Sequence, residues 1–223
     1  MLEPRSDSDI KKRILLELKW DSRIPWASIS VEVVDGVVTL SGDVSSYAQK
    51  LAAQEATHRV AGVLDVANEI NVKPGNGFMR TDTEIVNAVR NALEWDALVP
   101  NELIHSTVSG GWVTLEGQVN YARERTDAER AIRRLAGVVG VINKIMVRKQ
   151  AVDKTQLREE IEFALERRAV REAERLRIEV ADGVVDLWGR VHSWQERRAV
   201  LGSISHAPGV TQVRDHLRVD PYF

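Results

Sequence analysis

The sequence contains no cysteine. Disulfide frameworks, thiolate nucleophiles and Cys-ligated metals are therefore excluded together. No stretch nears the roughly 20 apolar residues that a membrane-spanning helix needs. The opening residues, Met1 to Asp7, have neither a basic n-region nor an apolar h-region, so they do not read as an export signal. As written, the chain is expected in the cytoplasm, or in the periplasm if a leader has been removed. Neither sign of charge prevails: 31 Lys and Arg stand against 33 Asp and Glu, for a net charge of -2. No third of the chain carries the basic excess of a nucleic-acid footprint, so nucleic acid is not an expected partner. The five histidines form no His-x-x-x-His pair and are expected singly, on the surface or in loops. No metal or cofactor is expected.

What the chain does have is one phrase written three times. Gly36-Val37-Val38-Thr39-Leu40-Ser41-Gly42-Asp43-Val44 returns as Gly111-Trp112-Val113-Thr114-Leu115-Glu116-Gly117-Gln118-Val119. It returns again as Gly183-Val184-Val185-Asp186-Leu187-Trp188-Gly189-Arg190-Val191. The register holds without gaps from Ile10, Ile85 and Leu157 to Gly62, Gly137 and Gly209. A period of about 70 residues is a whole small domain rather than a solenoid unit. The expected division is 1–74, 78–149 and 152–223 (modules 1, 2 and 3). Lys73 to Gly77 and Lys149 to Asp153 serve as joints, the second without Pro or Gly. Units this small bury modest cores and are expected to lean on one another.

Within each module the apolar rhythm changes in a fixed order. Ile10, Ile14 and Leu18 lie at i, i+4 and i+8, as do Ile85, Val89 and Leu93, and Leu157, Ile161 and Leu165. That spacing predicts a first helix, with Ser8, Thr83 and Thr155 as candidate N-caps. Alternating Ile29, Val31 and Val33 predict a half-buried strand. Asp35-Gly36, Gly110-Gly111 and Asp182-Gly183 predict tight hairpin turns. The return strand turns Val38, Leu40 and Val44 inward. Gly42, Gly117 and Gly189 share that parity, which suggests a bulge or the close approach of a second helix. A softer Ala-rich stripe predicts the second helix, with Gly62, Gly137 and Gly209 as C′ residues. A last strand follows (Val66 to Val72 in module 1). Its equivalent polar residues Asn68, Asn143 and Asp215 are inward by parity and suit a structural cap. The fold class is thus α+β: three tandem two-layer domains, each αββαβ, with a three-stranded mixed sheet covered by two helices.

The Gly-x-Val-x-Leu-x-Gly-x-Val phrase, Ala61-Gly62-Val63 with Ala136-Gly137-Val138, and Asn-x-Ile-x-Val at 68–72 and 143–147 resemble the BON domain. That module is named for bacterial osmotically induced and nodulation proteins. The resemblance covers nearly the whole chain. It implies non-catalytic binding modules, common in bacterial envelope proteins, with phospholipid membranes as the usual suggested partner. It carries over no catalytic residues. The copies are also so alike, and so short of insertions, that no enzymatic activity is expected.

The six tryptophans are numerous beside three Phe and three Tyr. Trp112 and Trp188 face away from the helix layer by parity and call for another cover: a module, a subunit or a ligand. Trp20 and Trp95 share one place at the end of the first helix. Leu15 and Leu16 widen the apolar face of module 1's first helix. With Lys19 and Trp20 that face suits an anionic phospholipid surface; alternatively, the leucines bury against module 2 or 3. The candidate contact residues are Leu15, Leu16, Lys19, Trp20, Trp95, Trp112 and Trp188. Three roles follow: a membrane- or envelope-associated stress protein, a cytoplasmic assembly module that could homo-oligomerise, or a small-ligand or ion sensor.

Overall fold

A computed structural model describes residues 5–75, 79–148, 154–167, 176–205 and 207–221. Module 1 comprises α1 (Asp7–Trp20), β1 (Ile29–Val34), β2 (Val37–Val44), α2 (Tyr47–Thr57) and β3 (Asp65–Val72). Module 2 repeats this as α3 (Asp82–Trp95), β4 (Ile104–Ser109), β5 (Trp112–Val119), α4 (Ala122–Ile132) and β6 (Gly140–Val147). Module 3 has α5 (Lys154–Arg167), β7 (Arg177–Ala181), β8 (Val184–Val191), α6 (Trp194–Ser205) and β9 (Gln212–Val219). The joint at 149–153 lies outside the described residues.

Each module is a three-stranded sheet whose return strand is central. β1 and β2 are antiparallel, with Val31 opposite Leu40, and β2 and β3 are parallel, with Leu40 opposite Asn68. A two-residue turn suffices for the first pairing, while the second requires a crossover, which α2 provides. Both turn residues take positive φ: Asp35 and Gly36 at 50° and 75°, Gly110 and Gly111 at 57° and 78°, Asp182 and Gly183 at 51° and 78°. This matches the twist of the flanking strands.

The three cores are separate and built alike. Ile10, Ile14 and Leu18 bury against Val38, Leu40, Ala53 and Ala56. Ile85, Val89 and Leu93 meet Val113, Leu115, Ala128 and Ile132, and Leu157 and Ile161 meet Val185, Leu187, Val200 and Ile204. Each fully buried Leu or Ile contributes about 1.5–3 kcal/mol.

Several local expectations are corrected. The first helices are capped by Ser6 and Thr81, two residues before Ser8 and Thr83. Thr81 forms a full capping box with Glu84, which satisfies two donors reciprocally. Thr155 lies inside α5. Gly62 has φ 101°, but α2 already ends at Thr57, so the glycine serves the turn leading into β3 instead of the helix cap. The tight approach at Gly42 is to backbone, not to α2: a Cβ there would lie 2.1 Å from the Ser28 carbonyl oxygen. A Cβ at Gly117 would likewise lie 2.1 Å from Leu103 O.

Candidate functional site

The polar residues of the last strands serve structure, though as ties to the body of the second helix and not as caps. Asn68 Nδ2 donates to Lys50 O and Gln54 Oε1. Asn143 Nδ2 donates to Arg125 O and Glu129 Oε2. In module 3 both sides change together, and Arg197 Nε donates to Asp215 Oδ2 at 2.8 Å. A second tie escaped the sequence reading. The Asp7 carboxylate accepts from the Asp35 and Gly36 amides, and Asp82 accepts from Gly110 and Gly111. One helix-terminal carboxylate thus fixes the hairpin tip in modules 1 and 2. Lys154 stands at the equivalent position in module 3.

The candidate contact residues divide into three places. Leu15 is half-buried against module 1's own core, whereas Leu16 is 66% exposed. Trp20 is 91% exposed and Trp95 88%, at the last position of α1 and α3. Lys19 lies over the Trp26 ring, 5.5 Å from its centroid, and Trp26 is itself exposed. Beside Trp95, Leu98 is 66% exposed. The structure therefore gathers Leu16, Lys19, Trp20 and Trp26 at one end of module 1, with a smaller Trp95 and Leu98 counterpart on module 2. Cation and apolar rings lie together there, the composition that favours a water–lipid boundary.

Trp112 and Trp188 lie on the outer sheet faces of different modules, as their parity required. Trp112 is covered in part by its own sheet, for its ring lies over Gly140, where a Cβ would meet it at 2.3 Å. Trp188 is cross-strand from Arg177 and His216. Arg177 lies 5.3 Å from its centroid, and His216 stacks at 5.1 Å and 11°. These neighbours stand on opposite sides of the central strand, so both ring faces are occupied.

Two aromatics that join modules, Trp194 and Tyr47, were passed over by the sequence reading. Trp194 packs against module 1's core and stacks on His58 at 4.0 Å and 10°. Its Nε1 donates to Leu64 O at 3.2 Å, and Arg197 lies 4.5 Å from its centroid. His58 is buried, contrary to the expectation of surface or loop histidines. Burial, then Arg198 and Arg197, pushes its imidazole down to about 4. His216 sits 3.2 Å from Asp186, and His192 3.4 Å from Glu196; His206 lies outside the described residues. Tyr47 occupies the position equivalent to Trp194 and packs against module 2's core. Burial and then Glu129 raise its phenol pKa, with Arg133 opposing. Arg133 is the counterpart of His58, so the two junctions are quasi-equivalent. The signal for them was present: an aromatic at the first residue of the second helix in modules 1 and 3, with Ala122 in module 2.

Among the described residues, no cluster of three His, Cys, Asp or Glu side chains is placed to hold a metal ion. None of the described helices is long and apolar enough to cross a membrane. A cleft of about 770 Å³ runs between modules 1 and 3, lined by Arg5, Asp7, Asp35, Arg190, Arg218 and Asp220 among others.

Comparison with known proteins agrees with the triplication. The chain is 29% identical over 143 residues to osmotically-inducible protein Y of Escherichia coli (strain K12), covering 62% of this chain and 71% of that protein. Among solved structures, it is similar to CdsD, a structural protein of the type III secretion system of Chlamydia trachomatis. There it shows 12% identity and a TM-score of 0.28, over 95% of this chain and 92% of that one. The C-terminal domain of CdsD gives 12% and 0.27, over 97% and 100%. The family model for the BON domain matches residues 6–74, 81–149 and 153–221. Three matches in tandem over a threefold αββαβ fold make this chain a member of the BON family.

Proposed function

We propose that this chain is a non-catalytic, stress-related BON protein that associates with anionic phospholipid surfaces through the ends of its first helices. The observation that carries the reading is the near-complete exposure of Trp20 and Trp95 at one repeated position. Leu16 and Lys19 flank the first, and Leu98 flanks the second. An indole held out in water gains most by moving to a headgroup region, where its ring is buried and its N–H stays wet. Lys19 adds attraction to an anionic surface, which salt weakens. The stress assignment is supported by the similarity to an osmotically inducible protein.

Flotation with phosphatidylglycerol-containing and pure phosphatidylcholine vesicles tests it. The wild-type protein floats with the anionic vesicles at low salt. A Trp20→Ala/Trp95→Ala variant loses about tenfold in partitioning per ring, which corresponds to roughly 1.4 kcal/mol each. Failure of the wild-type chain to float with either vesicle overturns the reading. A second reading, a small-ligand sensor, is favoured by the charged cleft between modules 1 and 3. A thermal-shift screen with nucleotides and monovalent cations tests it. Bound ligand at about 100 times its dissociation constant adds roughly 2.7 kcal/mol of stability.

A further inference from the structure

The two quasi-equivalent junctions differ in how their arginines are satisfied. Where Trp194 docks on module 1, the receiving pair is His58 and Arg59. Arg59 is held within its own module, Nε 3.2 Å from Glu17 and Nη2 3.6 Å from Asp21. Where Tyr47 docks on module 2, the receiving pair is Arg133 and Arg134, with Ala92 in place of Glu17 and Asp96 in place of Asp21. Asp96 Oδ1 instead accepts from the Leu98 amide at 3.0 Å. Among the described residues no carboxylate stands within ion-pair distance of Arg133 or Arg134; Arg133 faces the Tyr47 phenol. Both arginines line a cleft of about 370 Å³ between modules 1 and 2. Module 1 adds Arg23 and Glu55 to the lining, and Glu55 acts electrostatically on Arg23. Asp21 grips one edge of Arg23, 2.9 Å from Nε and 2.7 Å from Nη2, which leaves the Nη1 donors outside that grip. Glu129, which also acts on Tyr47, lies outside the lining and accepts from Asn143. The cleft is thus short of acceptors for the donors it holds.

We infer that this cleft binds the phosphate group of a small, soluble phosphate monoester, which bridges modules 1 and 2. A guanidinium carries a fixed fork of N–H donors and no acceptor. Two forks without a carboxylate and the open edge of a third line one cavity. A carboxylate, with two oxygens, fills a single fork, whereas the three terminal oxygens of a phosphate monoester can be shared among three. Ala48 and Leu51 line the same cleft and offer apolar wall to a short carbon skeleton. The volume lies near the lower end of the roughly 300–1,000 Å³ of small-molecule pockets. It suits a phosphate with a few carbons and leaves no room for acyl chains. Because the donors come from both modules, the bound ester strengthens the Tyr47 junction. The inference does not rest on the lipid reading, which uses the exposed indoles at the helix ends.

Calorimetric titration of the full chain with glycerol 3-phosphate, with glycerol as the blank, is the test. The wild-type chain binds the ester at low salt with a dissociation constant below about 1 mM and does not bind glycerol. Arg134→Gln, at an exposed position, weakens binding about tenfold or more with melting unchanged. Ala92→Glu keeps every arginine but restores the carboxylate that holds Arg59 in module 1, and it weakens binding to the same extent. Arg214→Gln, in module 3, leaves binding as it was. A wild-type chain that gives no heat of binding up to about 10 mM ester overturns the inference. So does binding that survives both Arg134→Gln and Ala92→Glu, or an equal loss in Arg214→Gln, which marks diffuse attraction. Vesicles containing phosphatidic acid distinguish the lipid source of the same group. Flotation that Arg134→Gln abolishes, in a chain that ignores the soluble ester, assigns the cleft to a headgroup and overturns the inference equally.

Discussion

Acidification from pH 7 to pH 4 should release module 3 from module 1. The junction rests on the Trp194 ring stacked on His58, the Nε1 bond to Leu64 O and the cation above the ring from Arg197. Two of the groups that depress the His58 pKa, Arg198 and Arg197, belong to module 3 itself. When the modules are docked His58 titrates at about 4; undocked, it regains exposure and its ordinary value near 6.5. The undocked state therefore binds the proton first as pH falls. Docking keeps its full strength above about pH 6.5, weakens through the interval down to about 4 and loses nothing further from this group below that. A separation of about 2.5 units corresponds to at most roughly 3 kcal/mol. The contacts opposing release are of similar size: about 1 kcal/mol each for the stack, the hydrogen bond and the cation–π contact. Small-angle scattering reads the outcome as a radius of gyration that rises between pH 6.5 and 4. Trp194→Ala gives the expanded profile already at pH 7, and His58→Gln flattens the pH response. The reasoning is refuted if the His58 resonance titrates near 6.5 in the intact chain, or if the scattering profile is unchanged at pH 4.

Gly42→Ala and Gly117→Ala place a methyl 2.1 Å from a backbone oxygen at positive φ and should each cost more than about 3 kcal/mol, read in urea titrations. Asp7→Ala and Asp82→Ala leave two turn amides without their carboxylate and should cost about 1–2 kcal/mol each, by the same measurement. The Arg23 hydrogen bond lowers the Asp21 carboxyl to about 2, against a partial opposing effect of burial, with further lowering from Arg59. Its contribution to stability is present above about pH 4 and fades as pH falls toward 2; in Asp21→Asn the acid-side slope of stability against pH should be shallower.

The order of elements was legible because three copies shared one apolar rhythm. A residue that is Leu40, Leu115 and Leu187 in turn can hardly be anything but core. Turns were equally clear, since Asp35-Gly36 and Gly110-Gly111 name their own backbone conformation. Helix starts were misplaced by two residues because Ser6 and Ser8 are both acceptable caps in sequence, and the choice falls to Asp9 and Glu84 one turn on. The shared place of Trp20 and Trp95 at the end of the first helix was legible from the register; their near-complete exposure is seen only in the structure. The Trp194 junction did not follow from periodicity, because contact between modules obeys no period within either one. Only comparing Tyr47, Ala122 and Trp194 column by column could have raised it.

Module 2 lies between the other two along the chain, yet both aromatic junctions belong to module 1, which receives Trp194 and sends out Tyr47. Covalent order and docking order are thus different permutations. Removing the N-terminal third would sever both junctions at once, whereas trimming either of the others would sever one. A fragment holding the first two modules retains the Tyr47 seat and uncovers His58; the last two alone retain neither.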